Sequence, residues 1–341
     1  MTTINDVAEL AGVSVTTVSH ALSGKRPVAP RTRQRIIDAV ERLNYQPSQL
    51  AIAMLTGRTM TLGALVPDIM NPFFGELLSA VESAAAELSY GTIVASTELQ
   101  ADQEQRQIEM LCAKKVDALL LIGCSDEAID HVPAGPGTPV AVIVDQIPDD
   151  SSRYPKVCSD QAGGGRLAAD LLWELGHRKI GILGGPPELS VAAARLRGFL
   201  AQISKHGAPV PRARRAAAAS FTLPAGREAA RALLQRRPEI TALFCANDLI
   251  AFGALHAASE LGRAVPHQLS VIGFDDIFVA RMVQPTLTTI RQDIRLLGRR
   301  AVEIAIRALH GDLVRSPEQL PVSIVVRAST APAPVQPTKT S

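Results

Sequence analysis

Apolar positions in the first 60 residues recur at three- and four-residue spacing. Ile4, Val7, Ala8 and Ala11 form one stripe, which predicts a short first helix. Thr3 with Asp6 is a capping-box pattern at its start, and Gly12 stands where a left-handed cap ends a helix. Ser14 is placed to cap a second helix. There Val15, Val18 and Leu22 face inward, leaving Thr16, Thr17, Ser19 and His20 outward. A loop over 24–30, fixed by two prolines and a glycine, leads to a third helix over 31–43. Ile36, Ile37, Val40 and Leu43 form its inward face. Tyr45-Gln46-Pro47 breaks the chain. Residues 48–56 then read as one more short helix, ended by Gly57 and too short to be stable in water alone.

From residue 61 the period changes. Apolar runs over 61–67, 92–97, 118–122 and 140–144 predict buried strands, with helices over 72–90 and 102–115 among them. Asn71-Pro72 opens the first of these helices and Gly91 stops it. A second block repeats the scheme. Its strands are 179–183, 242–245 and 270–274, and its helices 163–175, 192–206, 227–235 and 249–261. Near-continuous apolar strands with crossover helices mean parallel sheets covered on both faces. Two such blocks predict two lobes, with ligand in the cleft outside the carboxyl ends of the strands. The last stretch, 331–341, is rich in Pro, Thr and Ser and reads as disordered.

Charge sharpens this picture. Residues 1–60 carry seven basic and four acidic side chains, a net +3, against −1 for the remainder. A basic headpiece on a neutral body suits a phosphate-backbone partner. The outward set of the second helix is short, polar and uncharged, suited to base edges in a groove, so the helix pair is a helix-turn-helix with its second helix as reader.

Thr3-Ile4-Asn5-Asp6-Val7-Ala8, Ala11-Gly12-Val13-Ser14 and Thr17-Val18-Ser19 resemble the start of the LacI family, that of the lac and purine repressors. The resemblance extends to about residue 329. It implies a two-lobed α/β core similar to periplasmic sugar-binding proteins, with the last helix, 293–309, returning to the first lobe. It also implies a homodimer on a palindromic operator. Thr16, Thr17 and His20 would read the major groove, with Arg26 near the edge of the site. Residues 48–56 would be the hinge helix in the minor groove, with Met54, and in second place Leu55, as the wedge at the operator centre. Two departures stand out: Ile52 replaces the usual basic residue and Met54 the usual Leu. The expected organisation is headpiece 1–46, hinge and linker 47–60, effector-binding and dimerisation domain 61–330, and tail 331–341.

Candidate chemistry lies at the strand ends. Phe73, Asp145, Arg195, Phe221, Asn247 and Asp275 are the expected effector contacts, through aromatic faces and paired polar groups. Cys245-Ala246-Asn247-Asp248 and Gly273-Phe274-Asp275-Asp276 are typical of the family. Phe74 reads as core, Asp248 as equally a helix cap or a ligand group, and His177 as a C-terminal cap. Thr16, Thr17 and His20 look most like the purine-repressor branch. Leu189 and Val191, however, stand where that branch carries polar purine contacts, which points to a sugar or related small polar metabolite.

Other classes find little support. Gly163-Gly164-Gly165 lacks the GxGxxG fingerprint, no P-loop lysine is present, and no GxSxG or metal-ligand spacing occurs. No catalytic residue, cofactor or metal is expected, and no membrane partner, since no apolar run reaches ~18 residues. Cys112, Cys124, Cys158 and Cys245 form no CxxC pair and read as reduced core thiols of a cytoplasmic protein. No signal-peptide pattern opens the sequence, which weighs against the alternative of a solute-binding receptor without DNA function.

Overall fold

A computed structural model describes residues 2–23, 26–45, 53, 57–98, 100–135, 137–146, 153–312 and 317–334. The chain divides into two compact units, Met1–Thr61 and Leu62–Ser341. Apart from Ala53, the expected hinge helix, with Ile52, Met54 and Leu55, lies outside the described residues, as does 335–341 of the expected tail.

Among the described residues the first unit shows three helices: α1 (Ile4–Ala11), α2 (Val15–Ser23) and α3 (Pro30–Arg42). The Thr3 N–H donates to Asp6 at 2.7 Å, forming the capping box, and Gly12 ends α1 at φ 63°. The Ser14 hydroxyl accepts the Thr17 N–H at 3.2 Å and caps α2. Val7, Ala8, Ala11, Val18, Ala21, Ile36 and Ala39 form the core. Three inward assignments need correction: Val15, Leu22 and Ile37 remain 38–39% exposed. A unit this small encloses too little volume to bury every residue of each apolar stripe.

The second unit holds two six-stranded sheets. The first has the order β11-β5-β4-β3-β1-β2 and the second β12-β10-β9-β8-β6-β7. The strands are β1 (Thr61–Val66), β2 (Gly91–Ser96), β3 (Ala118–Ile122), β4 (Val140–Val144), β5 (Lys156–Ser159), β6 (Ile180–Gly184), β7 (Arg215–Ala217), β8 (Ala242–Cys245), β9 (Ser270–Asp275), β10 (Thr288–Gln292), β11 (Glu318–Leu320) and β12 (Val322–Val325). Along β3-β1, β3-β4-β5-β11 and β7-β6-β8-β9-β10 the pairing is parallel, and at the edge of the second sheet β12 runs antiparallel to β10. Each sheet reverses strand order once, at β1/β3 and at β6/β8, and these are the switch points where α/β sheets hold ligands.

The chain passes between the sheets three times: from β5 to helix Gln161–Glu174, from β10 to helix Ile294–Leu309, and from β11 to β12. The expected return of the last helix is observed, since Ile294–Leu309 packs on helix Pro72–Glu87 and on β3, β4 and β5 of the first lobe. Helix Pro72–Glu87 is shorter than expected. Ser89 takes the left-handed cap position at φ 64°, the Tyr90 N–H bonds the Ala85 carbonyl, and Gly91 opens β2. β5, β7, β10, β11 and β12 were not read from the sequence; they are short or rich in polar side chains.

His177 departs from its expected role as a simple cap. Its N–H does bond the Leu172 carbonyl past the turn at Gly176. Its ring, however, is fully buried between Thr241 Oγ1 at 2.9 Å, Ser270 Oγ at 3.1 Å and the Ala331 carbonyl at 3.1 Å. The Ala333 N–H bonds the Leu175 carbonyl at 2.7 Å. Residues 331–334 are therefore strapped to the second lobe, against the expectation of disorder from 331 onward.

Candidate functional sites in the headpiece and the interlobe cleft

In the headpiece, Thr16 and Arg26 are exposed, and Thr17, Ser19 and His20 are half-buried. Thr17 has a dual position: its Oγ1 lies 2.8 Å from Ser14 Oγ, inside the cap that starts α2. Two of the seven basic side chains do structural work that the sequence did not signal. Arg33 donates to the Ala21 carbonyl at 3.1 Å and Arg35 donates to the Ala11 carbonyl. Both guanidiniums meet the negative ends of α2 and α1.

In the second unit, all six expected effector contacts line one cavity of about 560 Å³ between the lobes. Every segment lining it follows the carboxyl end of a strand. Phe73 and Phe74 follow β1, Asp145 follows β4, Arg195 lies on helix Ser190–Lys205 after β6, and Phe221 follows β7. Asn247 follows β8 and Asp275 ends β9. Phe74, expected as core, is buried edge-on against Phe73 at 5.2 Å and also faces the cavity.

Arg195 is 3% exposed and held on three sides. Nε donates to Gln161 Oε1 at 2.7 Å, Nη1 to the Ala246 carbonyl at 2.7 Å, and Nη2 pairs with Asp275 Oδ1 at 3.1 Å. Its guanidinium lies 3.9 Å from the Phe274 ring centroid. The backbone beneath it is placed by a glycine. A methyl group on Gly165 would stand 2.2 Å from the Arg195 carbonyl oxygen, so only glycine lets helix Gln161–Glu174 approach this closely. Of the three glycines at 163–165, Gly165 serves this approach, while Gly163 lies against Asp160 and Gly164 against the Phe274 ring.

Two glutamines that sequence reasoning missed join the acids to the arginine. Gln161 Nε2 donates to Asp145 Oδ1 at 2.9 Å and to Gln292 Oε1 at 3.0 Å, and Gln292 Nε2 donates to Asp275 Oδ1 at 2.8 Å. Gln161 begins the helix after the first crossover and Gln292 ends the strand before the second. The network thus runs from the cavity wall into two of the three connections between lobes. A single Gln in a polar run carries no pattern that would flag it.

Burial sets the charge state of the acids. It pushes Asp145 up to about 7, with Asp275 adding to the rise and Arg195 opposing it. Asp275 is pushed up to about 6 by burial, against Arg195 and Gln292. Asn247 Oδ1 accepts the Ile250 N–H at 2.9 Å and caps helix Asp248–Glu260, so Asn247, not Asp248, is the cap. Asp248 is wholly buried. It accepts the Ile277 N–H at 3.0 Å and the Thr289 hydroxyl at 2.5 Å, which fixes the turn after Asp275. Across the cleft, Glu76 Oε1 of helix Pro72–Glu87 accepts the Phe278 N–H at 2.9 Å.

Among the described residues no group of three or more His, Cys, Asp or Glu could hold a metal ion, and no helix is long and apolar enough to cross a membrane. The four cysteines are free thiols, and burial pushes Cys158 up to about 12.

Comparison with known proteins agrees with this geometry. Residues 3–48 match the bacterial regulatory proteins of the lacI family, and residues 169–330 match the periplasmic binding protein-like domain. The HTH-type transcriptional repressor PurR of Aliivibrio salmonicida is 36% identical over 312 residues, covering 91% of this chain and 92% of that one. A lac repressor dimer bound to operator and the anti-inducer ONPF superposes with a TM-score of 0.85, with 28% identity over 97% of this chain and 99% of that one. The transcriptional regulator CelR in complex with cellobiose gives 0.74, with 28% identity over 96% and 100%. The chain belongs to the lacI family: it is a DNA-binding transcriptional repressor with an effector domain, and not an enzyme.

Proposed function

We propose that this repressor binds a palindromic operator as a cytoplasmic homodimer and that a small polar metabolite in the interlobe cleft sets its operator affinity. Thr16, Thr17 and His20 read base edges in the major groove and Arg26 meets the edge of the site. Met54, with Leu55 as the alternative, is the apolar wedge at the operator centre. The effector contacts are Phe73, Asp145, Arg195, Phe221, Asn247 and Asp275.

The observation that carries the effector reading is the side-chain network. Asp145, Arg195 and Asp275 face the cavity and are tied through Gln161 and Gln292 to the lobe crossovers. A ligand that rearranges these groups acts directly on the connections that set the lobe angle, which gives it different affinities for two arrangements. A sugar or related polyol is the first reading. It is supported by the excess of carboxylate acceptors and by apolar Leu189 and Val191 in the cavity. The relative named for cellobiose points the same way. A purine is the second reading, favoured by 36% identity to a repressor named PurR.

The test is a thermal-shift series of sugars, polyols, sugar acids and purines, since a ligand of the folded state raises its melting temperature by mass action. Each hit is then titrated against the operator. Arg195→Ala and Asp275→Ala should abolish the effector's influence on operator binding in a folded dimer. An unchanged response in both variants would refute the cleft as the effector site.

A further inference from the structure

The cavity that this reading assigns to the effector is unusually one-sided in charge. Asp68, Glu98, Asp145, Glu188 and Asp275 line it, and among the described residues Arg195 is the one cation in its lining. That cation is already engaged with Gln161, the Ala246 carbonyl and Asp275, which together take three of the five guanidinium N–H donors. Acceptors, by contrast, are left open. Among the described residues, Asp275 receives its bonds on Oδ1 from Arg195 and Gln292, and Asp145 receives its bond on Oδ1 from Gln161. The second oxygen of each acid takes none. An anionic ligand would face five acidic side chains and an arginine already engaged. The complementary ligand brings donors and positive charge.

Asp145 is where that charge belongs. It is 5% exposed and lines the cavity, so its open oxygen is both desolvated and reachable by a ligand. Its backbone sits in the left-handed region at φ 54°, uncommon for a residue other than glycine, at the very end of β4. Backbone held there against preference marks a side chain that the fold needs in that direction. The rings of Phe73, Phe74 and Phe221 form the apolar wall of the same cavity, and aromatic faces favour a cation over an anion.

We propose that the effector carries a protonated amine on a small hydroxyl-bearing body, as in an amino sugar or amino polyol, and that the ammonium group pairs with Asp145. The proposal rests on the cleft being the effector site and adds the ligand's charge to it. A chemical consequence follows. Burial keeps Asp145 substantially protonated near neutral pH, with Gln161, Arg195 and Asp275 as the groups that face it and Cys158 beside it. An arriving ammonium favours the carboxylate, so binding releases a proton to the buffer.

The test uses the full-length protein and matched triplets: D-glucosamine, D-glucose and N-acetyl-D-glucosamine, and the same three derivatives of galactose and mannose. 1-Amino-1-deoxy-D-sorbitol with D-sorbitol and the anion D-glucuronate complete the series. Calorimetry at pH 7 in buffers of different ionisation enthalpy reads both affinity and proton release. At least one amine should bind tenfold or more tighter than its hydroxyl and N-acetyl counterparts, with net proton release, and glucuronate should not bind. Asp145→Asn should remove the amine's advantage and the proton release while leaving the melting transition cooperative. Glu188→Gln at the exposed rim should weaken the amine by a smaller factor. A neutral sugar that binds as tightly as its amine overturns the ammonium and leaves the cleft reading standing. Binding by glucuronate, or by no amine in the series, also overturns it; the cleft reading is then judged separately by the Arg195→Ala response.

Discussion

Single side chains carry two parts of the proposal: Thr17 and His20 for base reading, and Asp145 and Asp275 for the charge of the cleft. Replacing Thr17 or His20 by Ala should cost about 1–3 kcal/mol at the cognate operator and far less on random DNA. Thr17 also sits in the Ser14 cap, so Thr17→Ser, which keeps the hydroxyl, separates the two roles in a binding titration. The buried acids make stability depend on pH in a stated direction. Folded Asp145 and Asp275 take up protons at about 7 and about 6, above the unfolded carboxylate value of about 3.9. Their contribution is therefore complete below about pH 4 and is lost as pH rises through 6 and 7. The ligand-free melting temperature, less that of Asp145→Asn, should fall between pH 5 and pH 8. A flat difference would show that Asp145 titrates normally. At this scale the sequence was informative for segments that follow strand ends: Phe73, Asp145, Arg195, Phe221, Asn247 and Asp275 all line the cavity. It was silent on Gln161 and Gln292, and it offered Asp248 as a cap or a ligand group where the structure uses it to fix the turn after Asp275; these roles arise from partners 16 to 131 positions away.

Elements meet in ways that local pattern does not encode. The approach of helix Gln161–Glu174 to the backbone of Arg195 needs Gly165, and Gly165→Ala should destabilise the chain by about 1–3 kcal/mol or more through overpacking. Urea unfolding measures it, and a smaller loss would mean that the helices can separate without penalty. Gln161→Ala removes the bond to Asp145 Oδ1 and the acceptor of Arg195 Nε, while Arg195 keeps the Ala246 carbonyl and Asp275; each buried group left unmatched should cost about 1–3 kcal/mol in the same urea unfolding. The contact from Glu76 to the Phe278 N–H is a direct latch between lobes. In Glu76→Ala, solution scattering should show a wider lobe arrangement than in wild type; an identical profile would show that the latch does not hold the lobes. Central strands were legible because they are buried on both faces and read as continuous apolar runs. The edge strands β7, β11 and β12 and the polar β10 were not, because pairing rather than side-chain pattern defines them. Gly91 misled the reading for a related reason: Ser89 takes the left-handed turn that glycine usually supplies.

For the whole molecule, the two units have separate work and separate chemistry. The headpiece has a small core and, on α2, the polar face proposed to read DNA. The larger unit has two sheets whose strand ends converge on one cavity and whose crossovers share its hydrogen-bond network. Fold class was readable from the change of period at residue 61; the antiparallel edge strand and the strap at 331–334 depend on long-range pairing that no window of sequence contains. The central claim is that the polar face of α2 reads DNA as a symmetric pair. Selection from a random duplex pool by the full-length protein at physiological salt, followed by sequencing, tests it most directly. A palindrome of two half-sites should be enriched, and Thr17→Ala should relax preference at the same position in both halves. Enrichment of an asymmetric single site, or a palindrome that Thr17→Ala leaves unchanged, would contradict the account.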